Sequence, residues 1–186
     1  MPIEQRPNAD PNFDSEHPGA RFTADCALQL EVCKSLLSLA DSLPNNLDRV
    51  AMRHLAKAVP LTWAAHVVFQ TEVVLPLLKR RHEGEADVLS CFVHLEQQHV
   101  EVAGVNDELL EQLEAVARGE AIDSEVFAYV LRNAADRRRE HVEWEKLLLG
   151  WLFPQALAPI ERQAFLAWTL ANPWPFKGIH LGGVGY

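Results

Sequence analysis

The chain has 186 residues, 48% of them hydrophobic, which suits one domain with a substantial core. Its net charge of -9 and pI near 5.3 argue against a nucleic-acid or anionic-membrane surface, because both need a contiguous excess of Lys and Arg. Cys26, Cys33 and Cys91 form no CxxC pair, so a reducing compartment is expected rather than a disulfide framework or zinc finger.

In chain order, residues 1–20 read as a flexible Pro-rich arm, with Pro2, Pro7, Pro11 and Pro18 and no apolar run of the signal-peptide kind. A cytoplasmic location is expected. No apolar stretch is read as reaching the ~20 residues of a membrane-spanning helix. Residues 21–158 carry apolar side chains at helical spacing and predict an all-α, antiparallel up-and-down four-helix bundle. Its helices run over Phe22–Leu43, Leu47–Arg81, Glu85–Arg118 and Asp123–Phe153, separated by Pro44-Asn45-Asn46, Gly84 and Gly119. Pro60 is the candidate kink in the second helix. Residues 159–186 hold a short helix, Ile160–Leu170, and a tail from Asn172. Arg137, Arg138 and Arg139 precede Glu140 and Glu143 and read as a mixed-charge helix surface.

Side chains three, four and seven apart share a helix face, which gives each histidine a side. His66 aligns with Leu55, Val59, Thr62, Phe69, Gln70, Val73 and Leu77; His99 with Phe92, Leu95, Val102, Ala103, Asn106, Leu110 and Leu113; His141 with Phe127, Val130, Ala134, Trp144, Glu145, Leu148 and Leu152. All three face the core. His66 lies 15 residues before Arg81 and His99 lies 14 after Glu85, while His99 lies 19 before Arg118 and His141 lies 18 after Asp123. In antiparallel neighbours these offsets put the three rings at one level. A single inward histidine is satisfied by one carbonyl or carboxylate, but three converging imidazoles leave several ring nitrogens that a cation would satisfy.

The other histidines fail this test: His94 is about 140° around the helix from His99, His54 sits beside Arg53, and His17, His82 and His180 fall in an arm, a helix end and a tail. Glu145 follows His141 by four positions and projects to the same point. The equivalent position after His66 is Gln70, a weaker oxygen ligand without charge. Glu72 lies off the His66 stripe, and Glu96, about 60° from His99, is a candidate bridging or supporting group. The first helix has no histidine. Its inward stripe is read as Cys26, Gln29, Cys33, Leu37 and Ala40, with the cysteines as small core residues or soft ligands.

The set His66 with Gln70, His99, and His141 with Glu145, together with the segment TEVVLPLL at the end of the second helix, resembles the hemerythrin-like, or HHE cation-binding, family. The resemblance spans Phe22 to Pro154. It implies a four-helix bundle holding non-haem iron, with roles in oxygen or nitric oxide sensing, storage or redox chemistry. The family pattern has a first-helix histidine and a glutamate where this chain has Gln70, so a single metal, an asymmetric pair and a degenerate site are the alternatives here. Imidazole and carboxylate donors suit iron, and also manganese or zinc. The competing expectations are a non-haem iron oxidase or peroxidase, with Glu96 or Arg137 as acid or base, and a metal-free helical interaction module using Trp63, Trp151, Trp168 and Trp174. The expected metal ligands are His66, Gln70, His99, His141 and Glu145, with a small diatomic as partner and the oligomeric state open.

Overall fold

A computed structural model describes residues 17–46, 48–154 and 156–173. Every regular element among them is a helix: α1 (Pro18–Ser42), α2 (Arg49–Phe69), a π-helical turn (Gln70–Val74), α3 (Leu75–Arg81), α4 (Ala86–Arg118), α5 (Ser124–Leu152) and α6 (Pro159–Ala171). The first sixteen residues of the expected arm and the tail beyond residue 173, with Trp174 and His180, lie outside the described residues.

Local chemistry accounts for the helix ends. α1 starts at Pro18, inside the segment expected to be an arm, because His17 Nδ1 accepts the Gly19 N–H at 3.0 Å and proline at the first helical position loses no hydrogen bond. Asp48 and Asp123 cap α2 and α5 by accepting the N–H groups two and three residues on. α4 stops at Gly119, whose φ of 89° is left-handed and favours glycine.

The helices pack in a closed ring, α1 on α2 and α5, and α4 on α2 and α5. Two apolar clusters fill it. One takes Val32 to Ala40 of α1, Met52 to Val59 of α2, Leu109 to Val116 of α4 and Phe127 to Ala135 of α5. The other takes Phe22 and Cys26 of α1, Phe69, Val74, Leu75 and Leu78, Phe92 and Leu95 of α4, Val142 and Leu149 of α5, and Phe165 of α6. Between the two clusters, at the middle of each long helix, lies a buried polar layer: Asp25, Gln29, Thr62, His66, Gln70, His99, Asn106, Arg138, His141 and Glu145.

One sequence expectation changes here. By length and composition, the continuous helix Arg49–Arg81 is apolar enough to cross a membrane, contrary to the expectation above. Glu72 is the one charged residue between Lys57 and Lys79, so the apolar residues run together there. Half of that apolar window is buried inside the protein, and His66 and Gln70 lie on the buried side. The irregularity of this helix is the widened turn at Gln70–Val74, where the Leu75 N–H reaches back five residues to the Gln70 carbonyl. Pro76, which lacks an N–H and crowds the carbonyl four residues before it, follows directly.

Candidate metal centre

His66 on α2, His99 on α4, and His141 and Glu145 on α5 meet in the polar layer, all four buried, with one ligating atom from each lying within 4.8 Å of the others. This group can hold a metal ion. His66 Nε2 is 3.2 Å from His141 Nε2 and 3.5 Å from Glu145 Oε2. Glu145 Oε1 is 3.4 Å from His141 Nε2 and 3.6 Å from His99 Nε2. These distances exceed the ~2.7–2.9 Å of charge-assisted hydrogen bonds. Each is close to the ~3.4 Å that separates neighbouring donors about 2.1 Å from a tetrahedral centre, while the whole set, one atom per residue, spans up to 4.8 Å.

The outer ring nitrogens are committed elsewhere. Asp25 Oδ2 lies 2.6 Å from His66 Nδ1 and accepts its proton. Gln98 Oε1 lies 3.1 Å from His141 Nδ1, while the Gln98 amide nitrogen faces His94 Nε2 at 3.2 Å. Both arrangements leave Nε2 as the lone-pair atom, the pattern by which a supporting group orients a metal-binding imidazole. Two lone pairs then face each other at 3.2 Å between His66 and His141. A cation relieves that, either a metal ion or a proton on His66. A proton alone leaves His99 Nε2 and both Glu145 oxygens buried without a hydrogen-bond partner.

The charge balance agrees. Burial alone would lower the pKa of His66, but Glu145 and Asp25 outweigh it and hold it above the ordinary value. Burial would raise the pKa of Glu145, yet the surrounding imidazoles, His66 foremost, hold it far below the usual carboxylate range. For His141 burial prevails and lowers the pKa. Arg138 supplies the fixed positive charge of the layer. It is wholly buried, not on the surface as the run of arginines led us to expect, and burial lowers its pKa to about 10. Its guanidinium lies 5.3 Å from the centre of the Trp63 ring and donates to the Val59 carbonyl, Thr62 Oγ1 and Asn106 Oδ1. Trp63 in turn stacks on His66 with ring centres 4.9 Å apart. Gln29 ties Asp25 Oδ1 to the Thr62 carbonyl.

Several expected neighbours stand apart from the group. Glu96 is half-exposed in an ion pair with Lys79 at 2.7 Å, and Glu72 is exposed and accepts from Trp168 Nε1. Cys26 and Cys33 belong to the apolar clusters and are not among the converging donors, and burial pushes both thiols up, Cys33 to about 11. Trp144 is exposed, although the Glu145 beside it is buried. Gln70 is wholly buried one turn after His66, with neither polar atom of its amide hydrogen-bonded. Compared with known proteins, the chain matches no family model, no curated protein and no solved structure.

Asp25, Trp63, Gln98 and Arg138 were missed as supporting residues. Two of them carried a legible signal: Asp25 stands in the stripe Phe22, Gln29, Val32 and Leu36, and Arg138 in the stripe Phe127, Leu131, Ala134, His141 and Glu145. Charged residues on a core stripe are the mark of a built polar site. A pocket of about 240 Å³ opens between α4 and α5 and is lined by Gln98, Glu101, Val102, Arg137 and Glu140 among others; of the four converging residues, His141 reaches it.

Proposed function

We propose that this protein is a cytoplasmic, hemerythrin-like metal-binding protein that holds one non-haem iron ion through His66, His99, His141 and Glu145. The observation that carries this reading is the convergence of three imidazole nitrogens and the two Glu145 oxygens, with contacts of 3.2 to 3.6 Å and one donor from each residue within 4.8 Å of the others, while His99 Nε2 and both Glu145 oxygens have no hydrogen-bond partner. The reading includes an antiparallel up-and-down bundle. In its support, α1 and α4 enter the Phe22–Phe92 cluster first and the Leu36–Leu113 cluster second, while α2 and α5 meet them in the opposite order.

One ion rather than two follows from the donor supply. Glu145 is the single carboxylate in the group, and Asp25 is engaged on the far side of the His66 ring. Three neutral imidazoles and one carboxylate suit Fe(II), and also Mn(II) or Zn(II), and leave positions open when iron takes five or six ligands. Iron with an open position binds small diatomics, so oxygen or nitric oxide is the proposed partner, in sensing or redox chemistry. His141, among the residues lining the pocket between α4 and α5, marks that pocket as the proposed approach for such a molecule.

The test is metal analysis after anaerobic loading with Fe(II), and separately with Mn(II) and Zn(II). About one equivalent of iron is expected, with strong loss in His99→Ala and Glu145→Ala. Less than about a tenth of an equivalent of every metal, or undiminished binding in both variants, would overturn the proposal.

A further inference from the structure

Gln70 is wholly buried, yet neither its amide nitrogen nor its carbonyl oxygen has a hydrogen-bond partner. Its backbone N–H is shared between the His66 and Val67 carbonyls and its φ and ψ are right-handed helical, so the two side chains leave one face of the helix a turn apart. At the same spacing on α5, His141 and Glu145 converge to 3.4 Å. The widened turn begins at Gln70 itself, and such turns recur beside functional sites. An unpaired buried amide costs on the order of 1–3 kcal/mol per polar group, which Leu or Met in the same volume would avoid.

We infer that Gln70 is a binding residue for a small exogenous ligand: its side-chain amide hydrogen-bonds a molecule of one to three heavy atoms seated in an open position of the ion. The inference rests on the metal reading above. It differs from the sequence expectation, in which the Gln70 oxygen was itself a ligand of the metal. The difference between glutamine and glutamate is what matters here. A carboxylate at this position would bind the ion and repel an anionic ligand, whereas a neutral amide donates through Nε2 to an acceptor and still accepts through Oε1 from a protonated one. His66, His99, His141 and Glu145 supply the protein donors, and Gln70 selects what joins them.

Cobalt(II) reports on such a site by its visible absorption, and azide is a suitable probe ligand, being small, anionic and a hydrogen-bond acceptor. Wild-type protein is expected to bind about one equivalent of Co(II) and to change its spectrum on azide addition. Gln70→Met should bind Co(II) with the same stoichiometry and affinity but azide about tenfold more weakly, the loss of one hydrogen bond of ~1.4 kcal/mol. Its metal-free form should melt at the same temperature as wild type or higher, since an unpaired amide is gone; Gln70→Leu provides the same comparison if the methionine variant does not fold. An azide affinity within about threefold of wild type, no azide response in wild type, or a Co(II) affinity weakened more than about tenfold in the variant overturns the inference. A wild-type protein that takes up no Co(II) is the outcome that would count against the metal reading as well.

Discussion

Asp25 acts on the site through a single contact, 2.6 Å from His66 Nδ1, and that contact decides which ring nitrogen faces the cluster. Asp25→Asn keeps the shape but removes the charge and the preference for an Nδ1 proton. Groups that orient a metal-binding imidazole in this way typically contribute 10–100-fold to affinity, so we expect a loss of about that size in calorimetric titration with Zn(II). An unchanged affinity would mean that packing alone holds the ring. Arg138 makes a different contribution. Its charge interacts with the buried Asp25, and it donates to the Val59 carbonyl, Thr62 Oγ1 and Asn106 Oδ1. Arg138→Ala removes a buried cation and opens a cavity, and should lower stability by roughly 3–5 kcal/mol in urea unfolding. A change below about 1 kcal/mol would show that the buried guanidinium is not a structural element. The inward histidines and Glu145 were legible because helical spacing assigns a face to each of them. Asp25 and Arg138 carried a signal too, as charged residues on a core stripe, but were passed over because a charged residue is ordinarily a surface residue and the closed packing is what shows otherwise.

Helix limits were the most legible part of the chain, since each rests on chemistry within a few residues. Asp123 accepts the Glu125 and Val126 N–H groups, and Asp123→Ala should cost about 1 kcal/mol in denaturant unfolding. Gly119 ends α4 at a φ of 89°, and Gly119→Ala should cost a similar ~1 kcal/mol because a Cβ strains that conformation. Equal midpoints for either variant and wild type would contradict the capping account. The turn at Gln70–Val74 was not legible, although the expected kink at Pro60 drew attention to the same helix. Pro76 shows that one hydrogen bond must be missing, but not that the helix responds by widening by one residue. Val74, Leu75 and Leu78, in and just beyond that turn, enter the apolar cluster with Phe92 and Leu95 of α4 and Val142 and Leu149 of α5.

On the proposed reading, protons and metal compete for the molecule as a whole. His66 has a raised pKa, so its contribution to the stability of the metal-free protein is fully present below its ordinary value of 6.5 and is lost as pH rises through the raised value. Glu145 has a lowered pKa; its contribution is present above its ordinary value of 4.5 and is lost as pH falls through the depressed one. His141, also lowered, adds to the acid loss, since its neutral form is favoured in the fold and stability falls below 6.5 as the unfolded chain takes up its proton. A metal ion takes the place of the His66 proton. We therefore expect a saturating divalent metal to stabilise the protein more at pH 8.5 than at pH 6, and to release a proton on binding near neutrality. Urea unfolding with metal and with chelator at the two pH values checks the first, and the buffer dependence of the binding enthalpy checks the second. An equal or larger gain at pH 6 would contradict the account.

The sequence by itself determined that the chain is helical, where its helices end, and that His66, His99, His141 and Glu145 face inward. All three follow from periodicity and local capping, which act over at most two turns. The offsets of the histidines from the helix connections also put their rings at one level; only the tertiary structure decided that the four donors converge within 4.8 Å, that Asp25 rather than a cysteine serves the first-helix side, and that Arg138 lies inside. Those outcomes depend on which residues of different helices come level across the polar layer. No periodicity within one helix carries that information, because the positions are fixed by the packing of the two apolar clusters on either side.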